Sequence, residues 1–339
     1  MKEVEYIKPN HPREIPLAVG EDFDKHMKEI ASQEQLYSIA LFDILGFSNF
    51  VEENGNDVIL NLYNKLLDII YKQQSSPEGE SSITGVVPVP ISEDWKQNQL
   101  IAQGNGFVNV IHFSDTFIIY VNYQLQAPSY WLRDSKFEKY PLLMGEIGTS
   151  YLPVFFEKHN IYCSFLQTCM EFFCEAIISG IPLRGCISTG LATMDKYNSI
   201  YIGKSLVEAA KGETAQNSLG IAFGKSFNNY HPVYNDYFIP YLDHIKENFG
   251  NSKFLSPMIL DWARYWRNHY EFQKLNLKDS IMKMNTNASF SKYYDNAIKF
   301  ADFSNEHHDW YDEINRDGIQ DILEYYNKTN EWYRSQKHK

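Results

Sequence analysis

Ser38-Ile39-Ala40-Leu41-Phe42-Asp43-Ile44-Leu45-Gly46-Phe47-Ser48 is an apolar run that carries one carboxylate, Asp43, and ends in a Gly-Phe-Ser turn. A later run, Val110-Ile111-His112-Phe113-Ser114-Asp115-Thr116-Phe117-Ile118-Ile119-Tyr120, repeats the pattern with Asp115 beside a turn signal. Both read as strands, because β-branched and aromatic residues suit a pleated, half-buried surface. A carboxylate inside such a strand is costly to desolvate unless a cation or a set of donors compensates it. The two aspartates stand 72 positions apart, so only a sheet that sets their strands side by side makes them one site. A metal site is the expectation.

Working outward, Val58 to Tyr71 repeats apolar residues at three- and four-residue spacing, as an amphipathic helix does, with a polar start over Glu53-Asn54-Gly55-Asn56-Asp57. Residues 73–105 and 125–148 read as irregular excursions, and 151–179 as a long apolar helix closed by Gly180 and Pro182. A strand over Leu183–Gly190, a strand end and helix over Ile200–Lys211 and a strand over Gly220–Phe223 follow. That order predicts an α+β sandwich with helices against a mostly antiparallel sheet. The domain reading is an N-terminal arm at 1–34, a core at 35–230 and a helical, Trp- and Tyr-rich extension at 250–339, with Ile259–Trp266 and Ile319–Tyr326 as its helices.

At 339 residues and 44% hydrophobic composition the chain can bury a large core. It has no apolar run of membrane-spanning length and no signal core at its start, so a cytoplasmic protein is expected. Cys163, Cys169, Cys174 and Cys186 form no C-x-x-C pair and read as reduced core thiols. A net charge of −12 speaks against a nucleic-acid partner, and leaves a small polyanion that local cations would have to hold.

Four motifs, taken in order, resemble those of class III nucleotidyl cyclases. Phe42-Asp43-Ile44-Leu45-Gly46-Phe47-Ser48 is similar to that family's F-x-D-I-x-G-F-[ST] strand end, and Ser114-Asp115 falls where the family has its second aspartate. Leu183-Arg184-Gly185-Cys186-Ile187-Ser188-Thr189-Gly190 resembles its R-x-G-I-x-x-G strand, and Gly203–Lys211 its G-x-x-V-N-x-A-x-R helix. The resemblance covers about 35–225. It implies a ferredoxin-like, palm-type domain in which Asp43, the Ile44 carbonyl and Asp115 hold two Mg²⁺ or Mn²⁺ ions. It also implies that Gly46, Phe47 and Ser48 meet phosphates, and that Arg184 and Lys211 offset charge in the reaction.

Departures from the family narrow the substrate. The positions that read a purine base in these cyclases map to Ile111 and Ile200, and a purine pocket without polar readers would leave base edges unpaired. The motif set is similar to the stand-alone pyrimidine cyclases of the bacterial Pycsar anti-phage systems. That likeness implies a homodimer with sites at the subunit interface, where Arg184, Lys211 and the base pocket can come from the chain opposite the aspartates. The product would be cyclic UMP or cyclic CMP, read by a separate effector.

Three rivals stand beside this reading. Val207 and Lys211 occupy the family's transition-state asparagine and arginine positions, which suits a catalytically silent nucleotide-binding or scaffold homologue. A purine nucleotide cyclase and a palm-type enzyme that joins two nucleotides are the others, and no G-G-D-E-F-like hairpin favours the last. If Lys211 does not align, Lys204 takes its place. Blander readings also exist: Arg184 paired with a core carboxylate, Ser48 as a helix cap, and Glu208, Glu213 and His112 as structural residues.

Overall fold

A computed structural model of the chain describes residues 32–75, 108–122, 152–227, 237–246, 254–270 and 274–310, with positions 331 and 335. The arm up to residue 31, the excursions at 76–107 and 123–151 and the expected helix at 319–326 lie outside the described residues. The fold is α+β, with seven α-helices among the described residues and one mixed sheet of eight strands.

The opening stretch forms β1 (Gln35–Ile44), followed by a short helix α1 (Phe47–Glu53) and the long α2 (Asn56–Ser75). β2 (Asn109–Phe113) and β3 (Thr116–Asn122) form the expected hairpin, and α3 (Leu152–Ile178) the expected long helix. β4 (Leu183–Asp195), β5 (Ile200–Gly203), α4 (Lys204–Ala215) and β6 (Gly220–Gly224) complete the region of the four motifs. The sheet runs β2-β3-β1-β4-β6-β8-β7, with β5 paired to the far end of β4. β1 lies between β3 and β4 and is antiparallel to both, while β4 and β6 are parallel.

The stretch beyond 250 departs from its purely helical expectation. β8 (Leu255–Leu260) extends the sheet there, pairing with β6 and with β7 (Phe238–Pro240), a strand just before that stretch. Ile259 and Leu260, expected in a helix, are strand residues, and the helix begins at Trp262 instead. The cause lies in Asp261, whose carboxylate accepts the Arg264 amide N–H and caps α5 (Trp262–His269). The apolar run before that cap is a fully buried strand, which periodicity alone does not separate from a buried helix. α6 (Leu277–Met284) and α7 (Ser291–Glu306) follow. Ser304 on α7 donates to Asp261 Oδ1 at 2.5 Å, and Arg267 Nη2 donates to the Ser304 hydroxyl at 3.0 Å, which ties α5 to α7.

The largest core cluster takes Ala40, Phe42 and Ile44 from β1, Phe165 and Phe172 from α3, and Trp262, Trp266, Tyr294 and Phe300 from the C-terminal helices. The C-terminal helices therefore share a core with the motif region. Alternation along β1 turns Tyr37, Ile39 and Leu41 to the other face, into a second cluster with Ile118, Tyr120 and Met194. Asp43 lies on that second face. Cys169, Cys174 and Cys186 are free and buried, and burial pushes their thiols up.

His244 gives the fold a titratable weakness. The ring is fully buried, stacks on Tyr241 and contacts the Tyr241 carbonyl through Nδ1, while Nε2 has no partner. Burial lowers its pKa to about 4. A depressed histidine pKa makes the fold most stable above the unfolded value near 6.5, and that stability is lost as the pH falls toward 4. Urea unfolding should show wild type losing about 2 kcal/mol more than His244→Phe between pH 7 and pH 5. Equal losses in the two proteins would contradict the burial argument.

Candidate functional site

Register brings the motifs together. On β1, Asp43 stands opposite Thr116 of β3 and Arg184 of β4, so the ends of three central strands meet at this carboxylate. Ser114 and Asp115 form the two-residue turn of the hairpin, and the Ile44 amide donates to the Asp115 carbonyl at 3.0 Å. Ser114 holds a positive φ of 52°, a conformation that hairpin turns demand and that costs a serine about 1 kcal/mol. Tyr63 of α2, which the sequence reading did not single out, donates its hydroxyl to the Ser114 carbonyl at 2.5 Å. Its hydroxyl pKa is pushed up to about 12, first by burial and then by the Asp115 charge.

Arg184 bridges two carboxylates. Its Nη2 lies 3.1 Å from Asp43 Oδ2 and 2.6 Å from Glu213 Oε1, and Glu213 is buried on α4. Burial raises the Asp43 pKa most strongly; Arg184 opposes that shift and Asp115 adds to it. Glu213 follows the same pattern, raised by burial, lowered by Arg184 and raised again by Asp43. The Tyr293 ring of α7 supports the guanidinium, with Cζ 5.3 Å from the ring centroid, and Lys246 lies 5.6 Å from the same ring. The buried Nε of Arg184 has no hydrogen-bond partner.

Local packing explains the glycines of both motifs. Gly185 is opposite Phe42, and a Cβ there would stand 2.5 Å from the Phe42 ring and 3.2 Å from the Leu41 carbonyl. Gly46 has φ 74° and caps α1, and a Cβ on it would come within 2.9 Å of the Phe290 ring. The cap of α1 is therefore Gly46; Ser48, one alternative reading of which was a cap, sits in the first turn and is exposed. Phe47 packs partly against the main core.

The other expected site residues are more dispersed. Ile111 is half-buried against the second apolar cluster, together with Tyr201 of β5. Ile200 precedes Tyr201, alternates away from it and is 47% exposed, so one chain brings Ile111 to the cluster of Tyr201 rather than to Ile200. Lys211 is exposed on α4 with its ammonium 5.0 Å from the Phe254 ring. It lies two residues from Glu213, about 200° round the helix, and so on the side away from Arg184. Val207 is exposed, as is Lys204. Glu208 accepts the Ser226 amide at 2.8 Å. His112 is exposed beside Tyr63 and Phe117.

Among the described residues no three His, Cys, Asp or Glu side chains converge as a ready-made metal cage. The groups expected to hold a cation, the Asp43 and Asp115 carboxylates and the Ile44 carbonyl, belong to adjacent strand ends and form an all-oxygen set, which suits Mg²⁺ or Mn²⁺. Mg²⁺ normally takes one or two protein carboxylates and fills its octahedron with water and substrate phosphate, so this donor set fits it. Among the described residues no helix is long and apolar enough to cross a membrane. No protein-family model and no curated protein matches the chain.

Proposed function

We propose that this chain is a divalent-cation-dependent nucleotidyl cyclase that converts UTP or CTP to the 3′,5′-cyclic nucleotide and pyrophosphate. The observation that carries the reading is the meeting of Asp43 with the Asp115 turn and Arg184 at three adjacent strand ends. The strand order β4-β1-β3-β2, antiparallel throughout, also supports it, being the order of a ferredoxin-like, palm-type unit.

In this reading Asp43 and Asp115 hold two Mg²⁺ or Mn²⁺ ions, which supply charge neutralisation and acidify the ribose 3′-hydroxyl when bound. The 3′-oxygen bonds to the α-phosphorus as the bond to the pyrophosphate oxygen breaks, and the hydroxyl proton leaves to solvent. The Gly46-Phe47-Ser48 turn, next to Asp43 along the chain, orients the phosphates. Lys211 points away from Asp43 of its own chain, so its contribution comes from a second copy in a homodimer, as does part of the pocket over Ile111 and Ile200. The cyclic product then acts through a separate effector as an anti-phage signal in the cytoplasm.

The test is to incubate the protein with Mn²⁺ or Mg²⁺ and each of the four ribonucleoside triphosphates, separating products by chromatography and mass spectrometry. Cyclic UMP or cyclic CMP as the main product is the expected result, and cyclic AMP or cyclic GMP would transfer the reading to a purine cyclase. The exposed Val207 and Lys211 favour a second reading, a silent nucleotide-binding homologue. Metal-dependent nucleotide binding by calorimetry with no turnover would select it.

A further inference from the structure

The Arg184 guanidinium is used in an unusual way. One nitrogen, Nη2, is shared by Asp43 and Glu213, whereas Nε, the atom that would complete a two-point grip on a carboxylate, is buried without a hydrogen-bond partner. Glu213 Oε1 likewise lies 2.6 Å from Nη2 but has no hydrogen bond of acceptable geometry. An arginine held between two carboxylates and fully engaged by neither has a second arrangement within reach, in which Nε and Nη2 both grip Glu213 and Asp43 is released.

We infer that Arg184 is an internal cation that occupies Asp43 until a divalent ion arrives, and that Glu213 is the positioning residue that receives it. The inference rests on the reading of Asp43 as a cation ligand and adds the residue that clears it. Glu213 comes from α4 and is buried, so the receiving carboxylate cannot swing out to solvent. The Tyr293 ring flanks the guanidinium, and Lys246 braces the last turn of α4, beside Glu213, by donating to the Thr214 carbonyl at 2.6 Å. Without Glu213, a cation entering at Asp43 would leave a buried guanidinium unpaired, a costly state.

The test is a double-mutant cycle read by Mn²⁺ binding to the full chain, followed as loss of the free-ion paramagnetic resonance signal, with folding checked by circular dichroism. Glu213→Gln is expected to weaken Mn²⁺ binding roughly tenfold, and to change it less than about twofold in an Arg184→Gln background. An equal loss in both backgrounds would mean that Glu213 acts by direct attraction on the ion, and would overturn the inference. So would unchanged binding in the single variant. Should Glu213→Gln fail to fold, Glu213→Asp keeps the buried charge and withdraws it by one methylene, with the same expected weakening. Wild type that binds no Mn²⁺ would remove the underlying reading as well, while binding lost in Asp43→Asn but indifferent to Glu213 would remove the inference alone.

Discussion

Asp43→Asn should lower formation of the cyclic nucleotide by about a thousandfold or more at saturating Mn²⁺, a magnitude in line with removing a charged group from a preorganised phosphoryl-transfer site. The substitution is nearly isosteric. Its amide oxygen can still accept from Arg184, whose charge keeps a second partner in Glu213, so the fold should survive. Thermal unfolding of the variant is expected to stay close to that of wild type, and Asp115→Asn should behave alike. A variant that keeps its rate within tenfold would show that Asp43 is a structural partner of Arg184 and nothing more.

The second large effect concerns stability. Trp262→Ala should cost about 3–5 kcal/mol, the usual range for emptying a fully buried aromatic site. Trp262 is completely buried, its ring 4.9 Å from Phe173 of α3 and 5.4 Å from Phe300 of α7, and its carbonyl accepts the Cys174 thiol. Because these neighbours come from both sides of residue 250, urea unfolding followed by circular dichroism should shift as one transition. Two separate transitions, only one displaced, would mean that the C-terminal helices fold apart from the sheet.

Much of the frame was legible in local pattern. Alternation and β-branching marked β1, the β2-β3 hairpin and the start of β4, and the three-four spacing marked α2, because each signal is complete within a dozen residues. The carboxylates stood out since an aspartate inside such strands needs a partner. What lay beyond reach was pairing across long separations. Glu213 reads as one more polar residue on a helix, and nothing within α4 reveals that Arg184, some thirty residues earlier, turns toward it. Tyr63 and Tyr293 reach the site from helices whose packing no local pattern specifies. β8 was misread because a strand buried on both faces has no alternation to display.

The contact between Gly46 and Phe290 bears on when this protein becomes competent. Phe290 packs against Gly46 and Tyr293 against the Arg184 guanidinium, yet both are translated about 250 residues after Asp43, a delay of roughly 10–50 s at ordinary elongation rates. Every proposed cation donor, Asp43, Ile44 and Asp115, is therefore synthesised well before the side chains that pack beside the site. The ring over Arg184 waits for residues 290–293, and a product of synthesis interrupted before them would carry the cation donors without the side chains that pack beside them.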